Sequence, residues 1–337
     1  MNILNNISLL PYNSFGIDVQ TKYFADYQSI EQLRELLESD IVKNEKLLHI
    51  GGGNNLLFVS YFQGVILHSQ IKFIAVTEEN DNSILLRVGS GVIWDDFVNY
   101  CVINNYCGAE NLSSIPSEVG AAAVQNIGAY GAEISDIVRN VETIDIKTLE
   151  KQIFTNSQCN YGYRTSIFKN DLKGEKIVTA VEFCLSKKPN FNLNYTNLEQ
   201  EILKNYSEIN LTNIRATIIS IREGKLPNPK IMGNAGSFFK NPYIFSKQYE
   251  RLKKDFPKMP YFPINEDIVK IPAAYLIEQC GWKRKFFGDA GVYEKNPLVI
   301  VNQANATSTD ILSLAKEIQK SVKKKFDIDL ETEVELI

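Results

Sequence analysis

Histidine is scarce. His49 and His68 are the only two in 337 residues, and neither has a partner ligand at motif spacing, so no metal site built on imidazole is expected and both read as structural strand residues. Cysteine offers no alternative. Cys101, Cys107, Cys159, Cys184 and Cys280 are odd in number and form no C-x-x-C pair, which predicts reduced thiols in a cytosolic protein and no bound metal. Long apolar runs are missing. None approaches the roughly eighteen residues that a membrane span needs, and no membrane partner is expected. The first residues, MNILNNISLLPYNSF, lack a basic region and a small-residue cleavage site, so no signal peptide is expected. Positive charge is not in excess: 36 Lys and Arg face 40 Asp and Glu, for a net charge of -4. That argues against a general nucleic-acid binder with a basic face. It leaves room for a small anionic ligand held by a few local cations.

What is present is an ordinary globular balance, 44% hydrophobic and 23% charged, in a chain long enough for two or three domains. SIEQLRELLESDI predicts a helix, with Ser29 and Gln32 at capping-box spacing and Ile30, Leu33, Leu36, Leu37 and Ile41 on one face. KLLHI, GVILHS, KFIAVTEE and SILLRVGSGV read as strands, and WDDFVNYCVINN as a helix. VETIDIK, KQIFTN and KIVTAVEFCLS predict three more strands. TNIRATIISIREGK reads as a helix ending at Gly224, and the proline-containing connector after it marks a domain boundary. In the last third, IPAAYLIEQCGW predicts a helix stopped by Gly281, LVIVN a strand, and a further helix starts at Asp310 with Ile311, Leu314, Ala315, Ile318 and Val322 on its apolar face. FDIDLETEVELI alternates strictly and predicts a strand with Glu331, Glu333 and Glu335 on one side and Thr332, Val334 and Leu336 on the other.

Five stretches invite chemistry. HIGGGNNLLFV is either a glycine turn in a hairpin or a backbone cradle for phosphate. It fits a dinucleotide fingerprint poorly, because a strand-like run rather than a helix follows it. IPSEVGAAAVQNIGAYGAE is poor in bulky side chains and lacks a clear period. It reads as room for something large and flat rather than as simple core. In YGYRTSIFK, Arg164 either pairs with a ligand carboxylate or is tied to a local acid. GKLPNPKIMGNAGSFFKNP gathers Lys225, Lys230 and Lys240, which suits a diphosphate but also fits solvated lysines, and sets one hydroxyl, Ser237, between a flexible backbone and Phe238-Phe239. The alternating glutamates of the last stretch read as a solvent face.

These motifs, in this order, resemble the UDP-N-acetylenolpyruvoylglucosamine reductase family, also called UDP-N-acetylmuramate dehydrogenases. The resemblance runs from GGGNN to ETEV and rests on QNIGAYG, YGYRTSIFK and GNAGSFFKNP. NYTNL around Tyr195 looks like the longer subtype that carries a tyrosine loop. The resemblance implies an α+β fold: an FAD-binding part of the vanillyl-alcohol oxidase type in two subdomains, and a C-terminal α+β substrate domain. The expected division is 1–70 joined by 326–337, then 71–223, then 224–325. It further implies non-covalent FAD, NADPH as co-substrate, and reduction of UDP-N-acetylglucosamine enolpyruvate to UDP-N-acetylmuramate in the cytoplasm by a monomer. By motif match, Ser237 is the proton donor, and Arg164 and Glu333 stabilise the enolate-like intermediate. Gly51, Gly52, Gly53, Asn54 and Asn55, with Ile115, Pro116, Ser117, Gly120, Ala121, Asn126 and Gly128, fall on the cofactor-binding segments. Tyr130, Tyr195, Lys225 and Asn241 fall where the family holds the nucleotide substrate. The chain departs from the family's usual pattern at Asn54, at Ser117-Glu118, which places an acid near the cofactor's phosphates, and at Glu335. Other readings are an FAD-dependent oxidase or dehydrogenase of the same fold acting on another substrate, and a non-catalytic nucleotide-binding module.

Overall fold

The computed structural model describes residues 2–195 and 197–337. It divides into two compact units. The first comprises 1–7, 20–53 and 62–222; the second comprises 8–19, 54–61 and 223–337.

In the first unit a four-stranded sheet runs in the order Leu4–Ser8, Gln20–Tyr27, Phe62–Ser69, Lys46–Ile50. Gln20–Tyr27 and Lys46–Ile50 both pair parallel to Phe62–Ser69. Parallel neighbours need a crossover, and helices Ile30–Glu38 and Asp40–Asn44 supply it. The sequence pattern predicts one helix there. The structure breaks it at Ser39, whose extended backbone and hydroxyl serve as the N-cap of the second helix: its Oγ accepts from the Val42 N–H at 3.3 Å. Ser29 caps the first helix as expected, while Gln32 reaches back to the Gln28 N–H rather than to Ser29.

A five-stranded antiparallel sheet follows, in the order Lys151–Thr155, Val138–Asp145, Lys176–Ser186, Ser83–Gly89, Ile74–Glu79. Helix Trp94–Ile103 buries Trp94, Phe97, Val98, Cys101 and Val102, the residues its spacing predicts, and Phe97 stacks on Phe183 at 4.6 Å. The expectation that the alanine-rich stretch is not core needs correction. Residues Val119–Gln125 form a helix, and Val119, Ala122 and Ala123 are fully buried in the same core. Its side chains are small because it packs close. A Cβ on Gly120 would stand 2.8 Å from the Cβ of Ser90.

In the second unit an antiparallel sheet runs Gly233–Ser237, Val299–Asn302, Ala290–Val292, Phe286–Phe287. Helix Ser308–Phe326 buries the predicted apolar face and starts two residues earlier than expected, because Thr307 and Asp310 close a capping box. The terminal segment is not one strand. Thr332 bridges antiparallel to Phe239, and only Glu335–Leu336 form a strand, parallel to Leu56–Leu57. Because the segment changes partners midway, the expected two-sided burial fails: Val334 is buried and Leu336 is exposed. Among the described residues no helix is long and apolar enough to cross a membrane.

Candidate active site

In the first unit, strand Lys46–Ile50 ends directly in Gly51-Gly52-Gly53, with Gly53 at φ +65°. A side chain at Gly51 would place its Cβ 2.9 Å from the Ala121 Cβ and 3.4 Å from Glu118 Oε2. The glycine loop therefore lies against the start of helix Val119–Gln125. The segment before that helix is fixed by backbone pairing. Ser117 O accepts from Trp94 N–H, Val119 N–H donates to Val92 O and Gly120 N–H to Ser90 O, each at 2.9 Å. Ile115 and Ser117 are half-buried, and Pro116 is exposed.

Asn126 ends the helix in the left-handed region at φ +48°. Its buried side chain donates to Glu133 Oε2 and Gly162 O at 2.8 Å and accepts from Ser135 N–H at 3.2 Å. It thereby ties the helix end to the Arg164 loop. Gln125 Oε1 accepts from Lys169 Nζ, while its Nε2 is buried with no partner among the described residues.

Arg164 sits at φ +57°. One Nη donates to Gly128 O, the other lies 3.8 Å from Glu133 Oε1, and the guanidinium stands 5.1 Å from the Tyr163 ring. At Gly128 a Cβ would come within 3.0 Å of the Ala132 carbonyl oxygen as well as 2.7 Å of Arg164 Nη1; the side chain could yield, but the backbone oxygen could not easily. Tyr130, at φ +49°, meets Tyr195 edge-to-face at 5.9 Å. Burial pushes the Tyr130 hydroxyl pKa up, with the Arg222 charge opposing. Two residues absent from the sequence reading assist here. Arg222, three positions before Lys225 on helix Leu211–Lys225, donates to Ser114 O at 3.2 Å. Buried Asn111 donates to Tyr130 O at 2.9 Å and to Asn192 O at 2.7 Å, joining the two tyrosine segments. The only sequence hint of Arg222 is its spacing from Lys225; nothing in the sequence marks Asn111.

In the second unit, Ser237 ends strand Gly233–Ser237 opposite Val299, after a bulge that includes Gly236 at φ +69°. The bulge is held by buried Asn234. Its Nδ2 donates to Pro227 O at 3.1 Å and Met232 O at 2.9 Å, and its Oδ1 accepts from Gly236 N–H at 3.0 Å. Phe238 and Phe239 point into the core, where Phe238 meets Phe15 edge-to-face. Ser237 is half-buried, and its Oγ takes no hydrogen bond among the described residues. Glu333 joins it: Glu333 N–H donates to Phe238 O at 2.8 Å, one residue along from Ser237. Glu333 O accepts from Asn55 Nδ2 at 3.1 Å, and Glu335 N–H donates to Asn55 O. Asn54 beside it is half-buried. Asn241 Oδ1 accepts from Ala273 N–H at 2.9 Å, at the start of helix Ala273–Gln279. Of the three lysines, Lys240 is paired with Glu331 at 3.3 Å, while Lys225 and Lys230 are exposed.

Three groupings thus stand: the glycine loop with 117–121, Arg164 with Gly128 and Glu133, and Ser237 with Glu333. Residues 21–148 match the FAD binding domain family, and residues 228–337 match the family described as UDP-N-acetylenolpyruvoylglucosamine reductase, C-terminal domain. The chain is 48% identical over 330 residues to the UDP-N-acetylenolpyruvoylglucosamine reductase of Bacteroides fragilis strain YCH46, with 98% of each chain covered. It is 43% identical over 339 residues to that of Flavobacterium johnsoniae, covering both in full. A crystal structure of the Thermus caldophilus reductase matches with a TM-score of 0.69 at 21% identity, covering 100% of this chain and 99% of that one, and supports the same fold.

Proposed function

This chain belongs to the UDP-N-acetylenolpyruvoylglucosamine reductase family, and on that premise we propose how its own residues carry out the reaction. It is an FAD-dependent UDP-N-acetylmuramate dehydrogenase of peptidoglycan precursor synthesis that uses NADPH. The observation that carries the residue assignment is a half-buried, unengaged Ser237 hydroxyl next to Phe238, whose carbonyl accepts from the Glu333 backbone N–H.

The chain fits FAD. Gly51 has no Cβ where its loop meets 118–121, and the Gly53 conformation favours glycine, so the loop backbone can approach a phosphate closely. Gly51–Asn55 and the Ile115–Gly128 stretch hold the cofactor in this reading, with Gln125 Nε2 an available donor. An FAD held there would supply the hydride, drawn from NADPH, for the enolpyruvyl double bond. Arg164 binds the substrate carboxylate, where negative charge develops, and a preorganised cation there lowers the barrier. Glu333 orients the same end of the substrate. Ser237 Oγ–H then protonates the neighbouring carbon, which as part of an enolate is basic enough to take a proton from a positioned hydroxyl. Tyr130, Tyr195, Lys225 and Asn241 bind the nucleotide and sugar. The Tyr130–Tyr195 contact supports the longer subtype with a tyrosine loop. The enzyme works as a cytoplasmic monomer whose functional parts are 1–70 with 326–337, 71–223 and 224–325, a division by role that differs from the two compact units. Stopped-flow spectroscopy tests the reading: NADPH should bleach the flavin, and only the enolpyruvyl nucleotide should restore its colour rapidly. Equal restoration by an unrelated alkene acid would overturn the substrate assignment.

Two further results are expected. Neither cofactor segment contains histidine or cysteine, the usual points of flavin attachment, so acid precipitation should release the yellow colour into the supernatant. Colour retained in the pellet would contradict non-covalent binding. Lys225→Ala should raise the Michaelis constant for the nucleotide substrate about 10- to 100-fold. A lost charge-assisted contact costs about 1.5–3 kcal/mol, and the exposed Lys225 side chain has no packing role to confuse the result. An unchanged constant removes Lys225 from the site.

A further inference from the structure

The acid that departs from the family pattern has a partner. His68, at the end of strand Phe62–Ser69, is buried, with 6% of its side chain exposed. Its Nε2 lies 2.8 Å from Glu118 Oε1 and its Nδ1 lies 2.8 Å from Asp26 Oδ1. Ionised carboxylates only accept hydrogen bonds, so a ring that bonds one carboxylate at each nitrogen must carry two N–H groups. Gln70 Nε2 stands 3.0 Å from Nδ1; its amide, turned over, presents an acceptor to the same proton. Glu118 in turn abuts Gly51, as the close approach to a Cβ built there shows. The contacts form a line: Asp26, His68, Glu118, glycine loop.

We infer that His68, as an imidazolium between Asp26 and Glu118, is a positioning residue that fixes Glu118 and offsets its charge, so that the Gly51–Gly53 loop and the 115–120 segment can hold an anionic cofactor. This rests on the reading that those segments bind FAD. Without the positive ring, Glu118 would leave an uncompensated, half-buried negative charge beside the glycine loop that this reading gives to the cofactor, and the bond at one ring nitrogen would be lost.

The surrounding groups leave His68 as the switch. Tyr27, on the strand that carries Asp26, bonds His49 Nε2 at 2.7 Å, and burial drives the His49 pKa down to about 3, with the His68 charge adding to the fall. His49 therefore stays neutral at ordinary pH. Burial pushes the Tyr27 hydroxyl well up. Ser69, next in the strand, bonds Ser90 and does not titrate. For His68 itself, burial opposes the charge, but the Glu118 and Asp26 carboxylates outweigh it and the pKa is raised. That rise belongs to the folded chain itself; an anionic cofactor held beside Glu118 would raise it further, so binding is favoured at low pH and the advantage is lost as pH climbs through the bound-state value.

The test uses the holoenzyme. Free-flavin fluorescence on serial dilution, from pH 6 to 9, gives the FAD dissociation constant. It should be flat at the acid end, then rise about tenfold per pH unit between the free and bound pKa values of His68. His68→Gln should be at least about tenfold weaker than wild type at pH 6 and flat with pH. Because the chain has two histidines, nitrogen-15 NMR of the rings needs little assignment: at pH 7 one ring should carry two protons and the other one. This measurement and the wild-type profile stand even if a variant fails to fold. A flat wild-type profile with FAD tightly bound, or a singly protonated His68 at pH 6, would overturn the inference and leave the cofactor reading intact. A protein that holds no FAD at any pH would sink both.

Discussion

Ser237→Ala is expected to give a folded, yellow protein that NADPH still bleaches at the wild-type rate and that then scarcely reacts with the enolpyruvyl nucleotide. Flavin reduction by NADPH needs no proton at the substrate carbon, whereas reduction of the enol ether does. A positioned general acid contributes about 10²–10⁴ in rate, and water must replace the serine in the variant. A structural role would predict otherwise: alanine would remove about 1 kcal/mol of hydrogen bonding and slow both halves together. The structure argues against that alternative. The bulge before Ser237 is held by Asn234, not by the serine, whose Oγ bonds no described residue. The melting temperature should therefore hardly move. Single-turnover traces decide: bleaching by NADPH, then colour recovery on adding substrate. Recovery within about tenfold of wild type falls below what a general acid supplies and would remove Ser237 from proton transfer.

What could be read from sequence follows the range of the interactions. Helix Trp94–Ile103 and helix Ser308–Phe326 were legible because their buried faces repeat at helical spacing and involve large side chains. Helix Val119–Gln125 was not, since glycine and alanine give no apolar period and its burial comes from close approach to Ser90 on a distant turn. The alternation of the terminal segment suggested one continuous strand, but only Glu335–Leu336 form a strand, because the partners change from Phe239 to Leu56–Leu57 along the way. The site shows the same division. Ser237, Arg164 and Glu333 stand in recognisable motifs, but what holds them is non-local. Gly128 packs closely against both the Ala132 backbone and Arg164, and Asn55 secures Glu333 from 278 positions away. Glu118 read as a liability from sequence alone; its neutralising partner His68 lies 50 positions earlier.

Arg164→Lys is expected to cost about 10²–10³ in the rate of substrate reduction, the range seen when one preorganised charge-stabilising donor is removed. It should leave the rate of bleaching by NADPH within a few-fold of wild type. Charge is kept in this variant, so the loss must come from geometry. The guanidinium is a planar fork that gives one Nη to Gly128 O and faces Glu133 with the other, a geometry suited to two-point recognition of a carboxylate. An ammonium is a point donor without that fork, and meeting Gly128 O would turn it from the substrate. Backbone strain does not distinguish the two side chains, since φ +57° is equally unfavourable for arginine and lysine. The competing account makes Arg164 a tie for the loop, anchored to Glu133. That pair is long at 3.8 Å and Glu133 is partly exposed, so screening by solvent keeps its contribution small, but the bond to Gly128 O is an anchor too, and kinetics must separate the two accounts. On that account lysine would lower the melting temperature and slow both half-reactions in parallel. A variant with an unchanged substrate-reduction rate would take Arg164 out of carboxylate binding. One with normal melting, normal bleaching and slow colour recovery would place the guanidinium fork at the reacting carboxylate.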